Sequence, residues 1–480
     1  MAINYSFLFL FLSPFLHLFL FDRSDKVEAY RFDEITTNLK LQSHVVSLNS
    51  LTPAGVCSTP AQGSKNLSRL LQVTHKHGPC SPVKEGKAKI PSLRQILIND
   101  QARAKSINSK ISNKDQVIDS TVKVPANSGH SLGTGNFIVK IGFGTPKQDF
   151  VVIFDTGSDL SWIQCQPCEG SCYDQQDPIF EPSKSSTYSN ISCNSPSCDQ
   201  LKSSTEYEPP CASTTCIYQV TYGDNSYTAG YFATDTLTLF SSDVFPKFEF
   251  GCGQNSQGLW GSADGLLGLG RDQVSMVSQT AQKYKKLFSY CLPSKSSSTG
   301  FLAFGSEAGA SSSAQYTPLL TESSNPSFYF LTMTGISVGG QKLSISPSVF
   351  TTSGTIIDSG TVITRLPPAA YSKLRSAFRQ AMIKYTPAPP SSLLDTCYNL
   401  AGYTSVTVPT IVLHFGGGTD LNVDQSGILV QASSTKYCLA FAGNSAATDV
   451  GILGNNQQQT FEVVYNVEGG KLGFGAGACS

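Results

Sequence analysis

The chain has 480 residues, 34 basic and 34 acidic side chains, and only six His. This length accommodates two or three domains with a sizeable core. Short apolar runs punctuated by Gly and Pro predict a β-rich globular protein with few helices, and the scarcity of His disfavours a serine hydrolase.

The first 29 residues predict a secretory signal peptide that is cut after Ala29. The apolar run from Phe7 to Phe21 is followed at once by charged residues, and Pro14 and His17 interrupt it. It is therefore short for a membrane span, although an uncleaved anchor is the alternative. No later segment is apolar enough to span a membrane.

The next segment, residues 30–124, is basic, whereas the rest of the chain is acidic. Its net charge is +8 (14 basic minus 6 acidic), and that of residues 125–480 is −7. Opposite charges predict that the segment binds the body of the same chain. A helix is predicted over Ser92–Ser112, and beyond its first turn, which contains Arg94, it carries the basic side chains of Arg103, Lys105 and Lys110. A second helix is predicted over Ala369–Lys384.

Two alternatives apply to the basic segment. It could be a plain linker, or it could bind nucleic acid, which basic patches often do. The segment lacks interleaved aromatic residues, and the body is acidic, so nucleic-acid binding is not expected of the mature protein.

Two short segments of the body share one pattern. Val151–Ser158 and Thr355–Thr361 are apolar runs that end in Asp-(Thr/Ser)-Gly-(Ser/Thr), with Asp155 and Asp358 separated by 203 positions (358 minus 155). One such motif is weak, because Asp and Gly are common turn residues. Its recurrence predicts two similar lobes that each deliver one carboxylate. Two carboxyl groups held together share one proton, so one can act as a base and the other as an acid.

These segments resemble the catalytic motifs of pepsin-like aspartic proteases. A second repeat supports the resemblance, because Gly265-Leu266-Leu267-Gly268 follows the first motif and Gly451-Ile452-Leu453-Gly454 follows the second. The resemblance implies an all-β, bilobal pepsin-like fold, with two similar β-barrel-like lobes and a cleft between them. It is closest to nepenthesin-like plant proteases, whose Cys-rich insertion is matched by Cys165–Cys198.

The resemblance also implies roles for individual residues. It assigns catalysis to Asp155 and Asp358, support of the two loops to Gly157, Ser158, Gly360 and Thr361, and the substrate-covering flap to Tyr222 with Trp162 as its hydrogen-bond partner. No cofactor and no metal are expected. The plain alternatives are ordinary turn residues and two aromatic core residues.

The 14 Cys residues predict a disulfide framework, as in secreted proteins. Zinc is the alternative, because Cys165-x-x-Cys168 has ligand-like spacing. The family resemblance implies six pairs: Cys165–Cys168, Cys172–Cys252, Cys193–Cys216, Cys198–Cys211, Cys291–Cys479 and Cys397–Cys438. Asn66 and Asn190 begin Asn-x-Ser tripeptides and are predicted glycosylation sites in a secretory chain.

The predicted domains are a signal peptide (1–29), a prosegment (30–124), an N-terminal catalytic lobe (125–309) and a C-terminal catalytic lobe (310–480). The predicted function is a secreted aspartic endopeptidase, made as a zymogen and active at acidic pH. Its partners would be protein or peptide substrates and its own prosegment, and the mature form would be a monomer without membrane attachment.

Two further alternatives concern activity and location. Some proteins of this fold are inactive and inhibit other enzymes, as xylanase inhibitors do, although both Asp residues are present here. The segment His75–Pro82 is similar to the prosegment of a chloroplast nucleoid DNA-binding protease subgroup, so the chloroplast, or the vacuole, is the alternative to the extracellular space (apoplast).

Overall fold

The computed structural model describes residues 41–51, 55–58, 69–83, 92–112 and 137–478, except residues 206, 224–225, 259 and 310. The predicted signal peptide, the cut after Ala29, Asn66 and Cys479 lie outside these residues. Residues 41–480 form one compact unit. Within the described part, no helix is both long enough and apolar enough to cross a bilayer.

Helices are few, as the composition predicts. They are α1 (Leu93–Ile111), α2 (Pro196–Thr205), α3 (Met276–Gln279), α4 (Ala281–Tyr284), α5 (Ser348–Thr351), α6 (Pro368–Ala381) and α7 (Asn455–Gln458). The two predicted helices are confirmed as α1 and α6. The Ser92 hydroxyl caps α1 by accepting a hydrogen bond from the Gln95 backbone N–H. α2, which begins at the end of the Cys-rich insertion, was not predicted.

Strands dominate the rest of the described chain. In the first half they are β1 (Ser43–Ser47), β2 (Leu71–His75), β3 (Phe137–Phe143), β4 (Gln148–Asp155), β5 (Trp162–Gln164), β6 (Ser189–Asn190), β7 (Cys211–Ala212), β8 (Thr215–Thr221), β9 (Tyr227–Phe240), β10 (Asp243–Gln257), β11 (Gly265–Gly268), β12 (Leu287–Cys291) and β13 (Thr299–Phe304).

In the second half they are β14 (Gln315–Leu320), β15 (Phe330–Leu331), β16 (Met333–Val338), β17 (Gln341–Lys342), β18 (Thr355–Ile357), β19 (Thr364–Leu366), β20 (Thr386–Ala388), β21 (Cys397–Asn399), β22 (Ser405–Pro409), β23 (Ile411–Phe415), β24 (Asp420–Asn422), β25 (Leu429–Gln431), β26 (Lys436–Leu439), β27 (Phe441–Gly443), β28 (Gly451–Leu453), β29 (Glu462–Asn466) and β30 (Lys471–Gly475). The architecture is two-lobed and sheet-rich, which confirms the predicted fold class.

The same arrangement of three strands recurs around each Asp motif. β4 leads into the first motif and pairs in parallel with β11, which in turn pairs antiparallel with β5. β18 leads into the second motif and pairs in parallel with β28, which contacts β19 in the antiparallel sense. The two apolar Gly-x-x-Gly repeats seen in the sequence are β11 and β28. Each therefore fixes the strand that carries an Asp.

The N-terminal segment adds strands to the body. β2 pairs antiparallel with β13 and β3, and β1 pairs antiparallel with β22 over Ser43–Ser47. β12 joins the two halves of the chain, because it pairs with β13 on one side and with β29 on the other. The segment preceding the body is therefore built into its sheets at two separate places.

The disulfide framework is confirmed, but most of the predicted pairs are wrong. The structure pairs Cys57–Cys80, Cys165–Cys252, Cys168–Cys172, Cys193–Cys211, Cys198–Cys216 and Cys397–Cys438. Only Cys397–Cys438 matches a predicted pair. Cys291 is also disulfide-bonded, while its predicted partner Cys479 is outside the described residues.

The wrong pairs Cys165–Cys168 and Cys172–Cys252 have a physical explanation in the register of the sheet. Cys165 lies directly after β5, which runs parallel to β10 and brings it beside Cys252. Cys168 is left to close a short loop with Cys172. The zinc alternative fails as well, because both cysteines of the Cys165-x-x-Cys168 pattern are bound in disulfides.

Candidate active site

The two Asp motifs meet face to face. Each Gly of one motif lies against the Asp of the other. A Cβ atom added at Gly157 would lie 2.6 Å from Asp358 Oδ1, and one added at Gly360 would lie 2.6 Å from Asp155 Oδ1. Neither position leaves room for a side chain, so glycine allows each loop to approach the opposite carboxylate. The structure thus brings together the two predicted catalytic residues, which are 1% and 0% exposed.

Hydroxyl groups in the loops hold each carboxylate in place. The Ser158 hydroxyl donates to Asp155 Oδ2 over 2.7 Å, and the Thr361 hydroxyl donates to Asp358 Oδ2 over 2.5 Å. The backbone N–H groups of Gly157 and Gly360 donate to the Oδ1 atoms of the same two residues. All four predicted supporting residues therefore contact the carboxylate of their own loop.

Sequence reasoning gave no role to the middle residue of either motif, yet these residues tie the loops together. The Ser359 N–H donates to Thr156 Oγ1 over 2.9 Å, and the Thr156 N–H donates to Ser359 Oγ over 3.1 Å. Both residues are buried. The recurrence of a hydroxyl residue after each Asp was the available signal. This reciprocal pair fixes the distance between the loops that carry the two carboxylates.

A cation from the N-terminal segment occupies the space between the carboxylates. Arg103, on α1, places Nη2 2.7 Å from Asp155 Oδ1 and 2.8 Å from Asp358 Oδ1, while its Nε donates to Asp358 Oδ2 over 2.8 Å. Its side chain is 13% exposed. The sequence indicated a basic helix, but it did not single out Arg103 from its neighbours Lys105 and Lys110.

The charges of Arg103, Asp155 and Asp358 influence one another, because the guanidinium contacts both carboxylates. Burial raises the pKa of the Asp358 carboxyl, but Arg103 and the hydrogen bonds from Thr361 and Gly360 outweigh burial and hold that pKa below its usual value. Burial also raises the pKa of Asp155, and there it outweighs the effect of Arg103. While α1 is bound, the guanidinium of Arg103 thus favours the charged form of both carboxyls.

The predicted flap covers this helix. β8 and β9 form a hairpin, and Tyr222 lies at the end of β8, where its N–H donates to the Ser226 carbonyl. Trp162 Nε1 donates to the Tyr222 hydroxyl over 2.9 Å, which is the contact expected from the sequence. Gly223 at the tip lies against α1, because a Cβ added there would come within 2.5 Å of the Ser106 side chain.

A second contact between α1 and the body was not predicted. Asp100 lies one turn before Arg103 and accepts hydrogen bonds from Arg365 Nη2 over 2.7 Å, the Val362 N–H over 2.5 Å and the Ile363 N–H over 3.1 Å. Arg365 and Asp100 are 1% and 0% exposed. An acidic residue on a basic helix was the only sequence signal for it.

Gly335–Gly339 has the Gly-x-Ser-x-Gly pattern typical of some serine hydrolases. Ser337 lies 2.7 Å from His414 Nε2, and His414 Nδ1 lies 2.6 Å from Asp420. Ser337 lies within β16, paired with Val412 on one side and Lys342 on the other. A nucleophile of this class needs a sharp strand-to-helix turn, so regular sheet does not support that chemistry.

Asn190, the predicted glycosylation site within the described residues, is exposed on β6. Its side-chain oxygen accepts a hydrogen bond from the Tyr188 hydroxyl. This position leaves the amide accessible from solvent, and glycosylation there stays a prediction.

Comparison with known proteins identifies the family. The chain matches two family models, Xylanase inhibitor N-terminal over residues 137–306 and Xylanase inhibitor C-terminal over residues 328–476. An aspartyl protease family protein of Arabidopsis thaliana is 50% identical over 444 residues, covering 91% of this chain and 93% of its own length. Aspartic proteinase nepenthesin-2 of Nepenthes gracilis is 38% identical over 385 residues, covering 78% and 83%.

Solved structures support the same fold. Basic 7S globulin from soybean superposes with a TM-score of 0.56 at 20% identity, covering 71% of this chain and 92% of that one. Together with the paired Asp loops and the strands behind them, these matches show that the chain belongs to the pepsin-like aspartic protease family, among its plant members named aspartyl proteases and nepenthesins.

Proposed function

We propose that this protein is an aspartic endopeptidase that hydrolyses peptide bonds with water activated by Asp155 and Asp358. The observation that supports this most strongly is the convergence of two buried carboxylates on loops tied by Thr156 and Ser359. Inactive members of the fold are the competing possibility. Here each carboxylate keeps its hydroxyl and backbone N–H donors, which is the arrangement that a working pair needs.

In the proposed reaction the pair holds one proton once Arg103 has left. The charged carboxylate removes a proton from water as the water oxygen attacks the peptide carbonyl carbon. The protonated carboxyl donates a hydrogen bond to the carbonyl oxygen, where negative charge develops. Collapse of the tetrahedral species then breaks the C–N bond, and the amine leaves with a proton from the pair.

The full chain is, in this proposal, an inactive zymogen. Arg103 occupies the position where water and substrate would bind, and the flap tip packs on α1. The prosegment is thus a partner of its own body. Release at acidic pH follows from the chemistry, because protonation of a carboxyl removes its attraction for the guanidinium.

Secretion is also proposed, with the chloroplast and vacuole as alternatives. Six described disulfides support an oxidising compartment, because such bonds are rare in the cytosol. The apolar N-terminus and the exposed Asn190 tripeptide agree with this route.

The test is to incubate the purified full chain with a denatured protein over a range of pH, with and without pepstatin. We expect cleavage at acidic pH that pepstatin blocks. A protein that loses its N-terminal segment and still cleaves nothing would favour the inactive, inhibitor-like alternative. Inhibition of a xylanase by that protein would then establish it.

A further inference from the structure

The contact between Asp100 and Arg365 has the form of a ligand in a binding site. The donors, Arg365 and the N–H groups of Val362 and Ile363, all belong to the body, directly after the catalytic loop of Asp358. The acceptor belongs to α1, which the proposed activation removes. Charge-assisted hydrogen bonds from a guanidinium and two backbone N–H groups suit a planar carboxylate.

Removal of α1 leaves this site without its anion. Arg365 donates through Nη1 to the Ile363 carbonyl over 2.8 Å, and its Nε has no hydrogen-bond partner among the described residues. Within the described part of the chain, Asp100 is the one carboxylate in ion-pair contact with Arg365. Breaking a buried ion pair by removing one partner is unfavourable when nothing replaces that partner. The activated cleft therefore favours another carboxylate at this place.

The site lies close to the reacting carboxylates. Asp100 and Arg103 are three residues apart on α1, and residues so spaced have Cβ atoms about 5–6 Å apart on one face. An extended peptide advances about 3.3 Å per residue. A substrate side chain that reaches Arg365 therefore belongs to a residue within about two positions of the peptide bond that Asp155 and Asp358 would cleave.

We propose that Arg365, with the N–H groups of Val362 and Ile363, forms a subsite for an acidic side chain of the substrate. The enzyme would prefer peptides with Asp or Glu within about two residues of the scissile bond. Asp100 of the prosegment fills this subsite in the full chain, as Arg103 fills the space between the catalytic carboxylates. The inference rests on the proposed peptidase function and adds the class of substrate.

The experiment compares peptides that differ in one side chain. The full chain is activated with acid and assayed near pH 5.5, where the ordinary Asp pKa of about 3.9 leaves the substrate carboxyl charged. Matched peptides carry Asp, Asn, Glu or Gln at each of the two positions on either side of the cleaved bond. We expect kcat/KM to be about tenfold or more higher for the acid than for the amide at one position, the range of a charged hydrogen bond.

In an Arg365→Gln variant, the ratio of kcat/KM for the acid peptide to kcat/KM for the amide peptide should be close to one. Arg365→Lys should retain part of the preference for the acid peptide. Peptides with an amidated C-terminus distinguish a side-chain carboxylate from a terminal one. Equal rates for acid and amide peptides at all four positions would overturn the inference. So would a preference that survives in Arg365→Gln.

A binding measurement keeps the inference testable if Arg365 variants do not fold. A labelled peptide with the sequence of residues 92–112 is titrated into the acid-activated wild-type protein. We expect Asp100→Asn in the peptide to weaken binding about tenfold or more, and Lys105→Gln, an exposed position on the same helix, to leave it unchanged. Equal binding of the Asp100→Asn peptide contradicts the subsite. Binding that depends on Asp100 without cleavage of any peptide contradicts the peptidase instead.

Discussion

At the scale of single residues, the site depends on how two short loops hold each other. Thr156 and Ser359 exchange hydrogen bonds across the lobes, and each neighbouring Gly admits the opposite carboxylate. Displacement of either carboxylate would break the hydrogen bond from the hydroxyl group of its own loop. The loops therefore act as one unit, although they are formed by distant parts of the chain.

Replacing either catalytic carboxylate should abolish turnover without unfolding the protein. Asp155→Asn and Asp358→Asn keep the shape of the side chain but remove its ability to exchange a proton. A loss of about 10²–10⁴-fold or more in kcat is expected, because each carboxyl acts as an acid or base. Asp149→Asn, at an exposed position, is the control. Turnover and thermal melts are measured on the same variants. Near-normal turnover by either variant would contradict the assignment of Asp155 and Asp358 as the catalytic pair.

The hydroxyl of Ser359 should matter for stability. Ser359→Ala removes the acceptor of the buried Thr156 N–H, and a buried donor left unpaired costs about 1–3 kcal/mol. Ser359→Thr keeps the hydroxyl and should retain more stability than Ala. Denaturant unfolding of the three proteins measures the difference. If Ala and wild type unfold at the same midpoint, the link between the loops does not contribute to stability.

At the scale of elements, the flap hairpin has a polar contact with the body that can be tested. Tyr222 is linked to Trp162 by a hydrogen bond, and both rings contact Trp260 edge-on. Tyr222→Phe keeps the ring and removes the hydroxyl, whereas Tyr222→Ala removes both. We expect kcat/KM to fall in both variants and further in Ala, because a lid must close to align the substrate.

The thermal melts of the same variants separate a lid from a core residue. Tyr222 is half-buried, so its truncation should cost less than the several kcal/mol typical of a core aromatic. A large drop in melting temperature with unchanged kinetics would show that Tyr222 serves packing alone.

Elements also show what the sequence could and could not predict. The Asp motifs, the strands behind them and the two longer helices were predictable, because each depends on a local pattern of apolar, turn and capping residues. The disulfide partners and the Asp100–Arg365 contact were not, because they depend on which strands become neighbours. Cys165 illustrates this: its partner Cys252 is 87 positions away and is set by the pairing of β5 with β10.

At the scale of the whole molecule, we expect docking of β2 to depend on pH. Burial, followed by the charge of Lys76, lowers the pKa of His75 to about 4, and burial with Lys76 and His75 lowers that of His77 to about 2. The Phe137 ring packs edge-on against His75, and the His77 N–H donates to His75 Nδ1. Protonation of His75 therefore opposes the docked state of β2.

The sign of the effect follows from the lowered pKa. The docked strand binds fewer protons than the free one, so docking is strongest above pH 6.5 and weakens as pH falls toward 4. His75→Gln should shift processing to lower pH, because it removes this titration. His44→Gln, on the other strand of the segment, is the control. If the pH dependence of processing is unchanged in His75→Gln, titration of His75 does not control docking of the segment.

The most direct test of the whole arrangement is Arg103→Gln in the full chain. The charge of Arg103 favours the ionised form of both Asp155 and Asp358 and thereby opposes the effect of burial on their pKa values, so binding of protons to the pair and binding of α1 compete. The contribution of Arg103 to docking is therefore present above the pKa of the pair and is lost as pH falls through it. Without this cation, α1 should dock more weakly near neutral pH, and the N-terminal segment should be lost at a higher pH than in wild type.

N-terminal sequencing and gel electrophoresis over a pH series measure the midpoint of that loss, which should leave a new start near residues 120–135. Lys105→Gln is the matched control. Lys105 is exposed on the same helix, and its substitution removes the same charge. If Arg103→Gln and Lys105→Gln are processed at the same pH as wild type, the guanidinium between the carboxylates does not govern activation. An equal shift in both variants would instead indicate that the total charge of the helix, rather than its contact with Asp155 and Asp358, keeps the segment bound.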